Sequence, residues 1–298
     1  MGGTLTPTYH ESELGYWELI PRAPSGKVSA FVERIDGYVQ IAAPMLHRQL
    51  PSGRLPFIIN VGNPLKGAPA HESELAPYQG FIAGLHDSYA TTEFGGEVAG
   101  IQIDLSPLGM QMLLGGIPMW ELTNRMLHLD DVLGAEGREL VERVQEGPDW
   151  DTRFDAMESF IGRRLSKAPP PAEDVAYAWQ RLNATAGCIA IGSLADEMGY
   201  SRKQLINRFR QHIGLPPKLA ARVLRFSHAV QLLRDSEEPN WMDIAFDAGY
   251  YDQSHLIRDF LEFTGSTPTD YVSRLLPDGG GMVGEEEIPS NRAAATAR

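Results

Sequence analysis

The chain has 298 residues, a formal net charge of −13 and one cysteine, Cys188. That length allows two domains with their own cores, the acidity argues against indiscriminate coating of nucleic acid or anionic membrane, and a single cysteine excludes an internal disulfide framework. No apolar run approaches the roughly 20 residues of a membrane helix, and the N-terminus lacks the order of a secretory signal, so a soluble protein of the reducing cytoplasm is expected.

The first hundred residues read as β-rich. IDGYVQIA (35–42) and LPFIINVG (55–62) are rich in β-branched and aromatic residues bounded by Gly and Pro. Pro51-Ser52-Gly53-Arg54 separates the second from APMLHRQL (43–50), as in a hairpin, and VAGIQIDL (98–105) gives a further strand. Ser106-Pro107 then caps a short helix that Gly115-Gly116 stops. Helices are expected over 118–127, 135–146 and 151–166, which makes residues 1–170 an α+β unit. Leu140, Val144, Phe154 and Phe160 recur at helical spacing there. That stripe faces either a second copy of the chain or the domain's own sheet.

SKAPPPAED (166–174) reads as a semi-rigid spacer, because three consecutive prolines favour extended polyproline. Residues 171–180 cover its end and the start of an all-helical part, 181–275, with segments near 173–184, 191–198, 201–213, 217–234, 240–248, 252–263 and 268–275. The tail 276–298 has little to bury and is expected to be disordered.

The helical part contains a repeat. Ala195, Gly199 and Tyr200 match Ala245, Gly249 and Tyr250, and Leu205, Ile206, Phe209, Gly214 and Pro217 match Leu256, Ile257, Phe260, Gly265 and Pro268. Each copy reads as helix, Gly-containing turn, helix. Ser201 with Gln204 forms a capping box, and Asp252 caps the corresponding helix of the second copy. One face of each second helix is apolar. The other carries Lys203, Gln204, Asn207 and Gln211 in the first copy and Ser254, His255, Arg258 and Glu262 in the second, side chains of which several can read base edges. Between the copies, residues 217–234 form a helix about 27 Å long. That length can hold two helices near successive major grooves, about 34 Å apart.

DIAFDAGYYDQSHLIRDFLEFTGSTPTDY (243–271) resembles the signature of the AraC/XylS family of bacterial transcription regulators, and residues 181–275 are similar to its double helix-turn-helix domain. By position, the resemblance places base contacts at Lys203, Ile206 and Asn207, and at Gln253, Ser254, His255 and Arg258. Arg202, Arg208 and Arg222 are the phosphate candidates, since Arg pairs well with phosphate oxygens. LPSGRLPFIINVG and GIQIDLSPLG are faintly similar to the cupin-like sensor domains of a subgroup, which implies a signal-receiving β fold. If it holds a ligand, Tyr38, Gln40, Asn60 and Trp120 are the candidate lining, the alternative being an ordinary core.

The expected function is therefore a sequence-specific, double-stranded-DNA-binding transcriptional regulator controlled by a small-molecule effector or by homodimerisation through its N-terminal domain. RNA polymerase is a further partner if the protein activates. The eight histidines include no His-x-His pair, and phosphate-cradling and nucleophile-elbow motifs are absent, so no metal, cofactor or catalytic residue is expected. The alternatives are a metal-dependent cupin-like enzyme with an accessory helical domain, and an interaction adaptor that no longer binds DNA.

Overall fold

The computed structural model describes residues 6–236, 239–275 and 282–284. Its strands are β1 (Thr8–Ser12), β2 (Gly15–Arg22), β3 (Val32–Gln49), β4 (Leu55–Asn60), β5 (Leu65–Pro69), β6 (Ala76–Tyr78), β7 (Gly80–Ala83), β8 (Ala90–Leu105), β9 (Met126–His128) and β10 (Met282–Val283). The helices are α1 (Pro107–Leu113), α2 (Leu129–Leu133), α3 (Ala135–Glu146), α4 (Trp150–Lys167), α5 (Glu173–Ala184), α6 (Ile191–Glu197), α7 (Arg202–His212), α8 (Pro217–Arg234), α9 (Trp241–Asp247), α10 (Gln253–Thr264) and α11 (Pro268–Ser273). An α+β domain is thus followed by an all-α one.

The antiparallel sheet runs β1-β2-β3-β8-β4-β7-β9, with β5 and β6 joined through β8. Residues 35–42 and 43–50 are not separate strands. They form one long β3, whose register shifts between Ala42 and Met45 where Pro44 interrupts the ladder. Nor do β3 and β4 form a hairpin, because β8 pairs with both and lies between them. The connecting turn is used elsewhere: a Cβ on Gly53 would lie 2.5 Å from Leu224 of α8, so the turn docks on the helical domain.

The expected helix at 118–127 is a three-residue 3-10 turn, Met119–Glu121, followed by β9, because Met126 and Leu127 pair with Ala83 and Ile82 of β7. The start of the sheet, β1 and β2, carries no strong alternation signal and is held by pairing with β3.

One face of the sheet presents Ile35, Phe57, Ile59, Ile101 and Ile103, all at most 1% exposed, to Phe154, Met157, Phe160 and Ile161 of α4. Leu140 and Val144 of α3 join the same core. The apolar stripes of α3 and α4 are therefore covered by the domain's own sheet and need no second copy of the chain. Buried Arg22 on β2 pins that helix layer through ion pairs to Asp151, Asp155 and Glu158. Its charge is compensated by three carboxylates, as a buried guanidinium requires.

After α4, residues 168–172 run without helix through the three prolines into α5. Part of the expected disordered tail is ordered. Met282–Val283 pairs with Arg48 and His47 of β3, and Met282 is fully buried beside the Ser266 hydroxyl, which supplies the burial the composition did not suggest. Apart from Gly284, the rest of 276–298 lies outside the described residues. No helix among the described residues is long and apolar enough to cross a membrane.

Candidate nucleic-acid interface

Both copies of the repeat fold alike for the same local reasons. After α6, Gly199 takes a left-handed φ of 65°, and the Tyr200 N–H donates back to Ala195 O at 2.9 Å. After α9, Gly249 takes φ 77°, and the Tyr250 N–H donates to Ala245 O at 2.8 Å. A residue with a Cβ is strained at either place. At Gly249 a Cβ would also run into the Cys188 sulfur.

The caps form as the residues imply. The Ser201 hydroxyl accepts from the Gln204 N–H while Gln204 Oε1 accepts from the Ser201 N–H at 2.9 Å, and Asp252 accepts from the His255 N–H at 2.7 Å. The extra residue of the second copy lies in the turn. Tyr250 is buried there, edge-on to His255 at 5.1 Å, and Tyr251 is 93% exposed.

Each second helix lays its apolar side on α8. Leu205, Phe209, Leu256, Phe260 and Phe263 are fully buried, and the Phe226 ring of α8 lies 5.0 Å from both Phe260 and Phe263. The outward sides follow the expected polar faces in part, with Gln211 half-buried. Lys203 and Asn207 are exposed on α7, as are Gln253, Ser254 and Arg258 on α10, while Ile206 and His255 are half-buried. Gln204, though exposed, spends its side-chain oxygen on the cap.

The basic residues divide in a way composition does not show. Arg208 is tied to Asp174 of α5 by two hydrogen bonds, at 2.7 and 2.5 Å, and Tyr200 donates to the same carboxylate. The Arg208 bonds hold the Asp174 carboxyl down at about 2 against the opposing effect of its partial burial. Arg222 reaches from α8 to α10, donating to Asp259 at 2.6 Å and to both oxygens of Glu262, and lies over the Phe263 ring. The Glu262 hydrogen bonds hold its guanidinium further toward the charged form. Arg225 donates to Gly187 O and lies over Tyr250. Arg208 and Arg222, expected at phosphates, are instead committed to carboxylates inside the domain. Exposed Arg202, Lys203, Arg210 and Lys218 remain with no ion pair among the described residues. Arg210 lies seven residues after Lys203 and three after Asn207, on the same helical face. Helical periodicity alone places Arg210 on that face.

The β-domain candidates are only partly brought together. The Tyr38 hydroxyl donates to Asn60 Oδ1 at 2.7 Å, and Asn60 Nδ2 donates to Tyr78 O at 2.8 Å, so these three close on one another. They lie with Ile58, Phe81 and Met126 on the sheet face away from α4. Burial raises the Tyr38 hydroxyl well above the usual phenol range. Gly100 makes room for this ring, since a Cβ there would lie 2.6 Å from the Tyr38 oxygen. Gln40 is on the same face, paired across the ladder with Trp17. Both are at least 96% buried, and Trp17 Nε1 and Gln40 Nε2 have no hydrogen-bond partner among the described residues. Trp120 stands apart, 54% exposed in the 3-10 turn beside α7.

The model of a helix-turn-helix domain family matches residues 194–274. Residues 194–274 are a helix-turn-helix domain. Over 93 residues the chain is 29% identical to an uncharacterized HTH-type transcriptional regulator, YbfI, of Bacillus subtilis (strain 168). That match takes in 31% of this chain and spans about a third of the relative's length. Among solved structures, ToxT from Vibrio cholerae O395 is similar with a TM-score of 0.46 at 14% identity, over 80% of this chain and 96% of that one. The AraC-like transcriptional activator CuxR is similar with a TM-score of 0.31 at 13% identity, over 75% and 82%. The helix-turn-helix domain, with its two exposed recognition faces, is the candidate site.

Proposed function

We propose that this chain is a sequence-specific DNA-binding transcriptional regulator of the cytoplasm, whose N-terminal domain receives a small-molecule signal. The observation that carries the DNA half is the repeated unit. Two capped recognition helices, buried on one side against a common α8, leave Lys203, Asn207 and Arg210 on one and Gln253, Ser254 and Arg258 on the other facing outward. Ion-pair-free cations at Arg202, Lys203, Arg210 and Lys218 suit phosphate, and Asn207 and Arg258 suit bidentate contacts to adenine and guanine edges. The signal half is supported by two buried donors on neighbouring strands, Trp17 Nε1 and Gln40 Nε2, which a ligand oxygen would satisfy. RNA polymerase joins as a partner where the bound promoter is activated.

The test is selection of genomic fragments bound by the purified full chain, followed by affinity measurements on the enriched element. Enrichment of one motif is expected, with Asn207→Ala and Arg258→Ala each losing about 1–3 kcal/mol of discrimination at one position. Fragments retained without sequence enrichment would overturn the reading.

A further inference from the structure

Both recognition helices are gripped at their C-terminal ends, away from the residues proposed to read bases, and the N-terminal domain does the gripping. On α7 the grip is Gln111 of α1, which is 7% exposed. Its Nε2 donates to Gln211 O at 3.2 Å, and its Oε1 faces His212 Nδ1 at 3.0 Å. The other ring nitrogen, Nε2, lies 3.0 Å from Arg208 Nη1. Guanidinium can only donate, so Nε2 accepts and the Nδ1–H tautomer is the one that satisfies both neighbours. Immediately beyond α7, Thr123 Oγ1 donates to Gly214 O at 3.1 Å. On α10 the grip is Arg48 of β3. Its guanidinium lies 4.6 Å over the Tyr89 ring, and Nη1 donates to Thr264 O at 3.0 Å, just before the left-handed turn at Gly265. A cation on the free carbonyls of a helix C-terminus is doubly favourable, through the hydrogen bond and through the helix dipole.

These contacts close a ring. The N-terminal domain holds α7, α7 packs on α8, α8 packs on α10 through Phe226, and α10 returns to the N-terminal domain through Arg48. In an open chain of contacts, α8 alone would set how the two helices stand to each other. In a ring, a change of their angle or separation must also break the Gln111 or the Arg48 contact. We propose that Gln111 and Arg48 are positioning residues that restrict the protein to one spacing between the two DNA elements its recognition helices read. This rests on the DNA reading above and adds what fixes the spacing.

The experiment uses the full chain and duplexes carrying the selected element, with the two half-elements at native spacing or moved by one or two base pairs. A duplex with one half-element scrambled serves as control. Wild type is expected to bind the shifted duplexes much more weakly than the native one. Gln111→Leu and Arg48→Met keep side-chain bulk and remove the polar contact. Each is expected to shrink that spacing penalty by roughly fivefold or more, within the usual range of coupling between sites, while binding the control duplex as wild type does. Should Gln111→Leu lose control binding through misfolding, Thr123→Val, which removes only the contact to Gly214, takes its place. A spacing penalty that stays at the wild-type value in Arg48→Met and in the α7-side variant overturns the proposal. Wild type showing no preferred element at all is a different result, and it overturns the DNA reading on which the proposal rests.

Discussion

Arg222→Ala separates two roles that an arginine on a DNA-binding domain can have. The guanidinium is 25% exposed, but its partner Asp259 is 2% exposed and has no other cation in its salt bridge. Removing Arg222 leaves that carboxylate buried against the Tyr250 hydroxyl, whose pKa is raised chiefly by burial and further by Asp259 itself. Breaking a buried pair from one side costs about 3–5 kcal/mol. Glu262, the other partner, is 53% exposed and returns to water at little cost, so the lower end of that range is expected. At roughly 2–4 °C per kcal/mol for a chain of this size, the melting temperature should fall by about 6–12 °C. Arg222→Met combined with Asp259→Leu should recover most of the loss, because a buried pair replaced by apolar residues of similar volume is often neutral. DNA binding over a salt series, well below the melting transition, gives the second readout. Lys203→Ala and Arg210→Ala should each lower the salt slope by about 0.9, the value for one neutralised phosphate, with little change in melting. Arg222→Ala should leave the slope unchanged. A variant of Arg222 that melts like wild type and loses about one unit of slope would refute this division of the basic residues.

Ser201→Ala removes the cap of α7 and should cost about 1 kcal/mol by chemical denaturation, with a parallel loss of binding to the first half-element. Gly249→Ala places a Cβ at φ 77° and against the Cys188 sulfur, so it should destabilise the helical domain more than the same change at Gly199, where nothing lies within 4 Å of the new atom. Burial lowers His47 and His86 to about 4 each. Both are held neutral in the fold and gain protons more readily when unfolded, so stability is full above the ordinary value of about 6.5 and falls as pH drops toward 4. Each should contribute a loss on the order of 3 kcal/mol across that window, read as a falling urea midpoint, and His47→Gln or His86→Gln should flatten the slope.

The helical half was legible because its signals are local. Gly199, Gly249, Ser201, Gln204 and Asp252 each act within four residues of themselves, and the structure places them where the turns and caps require. The β half was not, because its pairing is non-local. Nothing in residues 35–62 announces that β8, about forty residues further on, enters between β3 and β4. The short strands β5, β6 and β7 contain Gly and Pro and are held by neighbours rather than by propensity. Trp120, a candidate lining residue, lies instead in the 3-10 turn Met119–Glu121 and is 54% exposed. β9 follows that turn and pairs with β7. The division of the basic residues is hidden in the sequence for a similar reason. Seven basic residues between Arg202 and Arg225 look equivalent in sequence, but the acids that neutralise Arg208 and Arg222 sit 34 and 37 residues away on other helices.

That neutralisation bears on how the second repeat engages DNA at all. Residues 235–270 carry nine acidic side chains and one basic, Arg258. Charge is felt within about 8–10 Å at physiological salt, so phosphates near α10 meet a mostly negative surface. Internal pairing softens this, since Asp259 and Glu262 are spent on Arg222. The first repeat, with Arg202, Lys203, Arg210 and Lys218 outward, can be held on the backbone by attraction. The second is placed there by whatever fixes its position relative to the first, and its contribution is then selectivity more than affinity. Packing on α8 supplies part of that placement through Phe226. The grip of Arg48 on the end of α10 supplies a second, independent constraint, on the helix that attraction alone would hold least well.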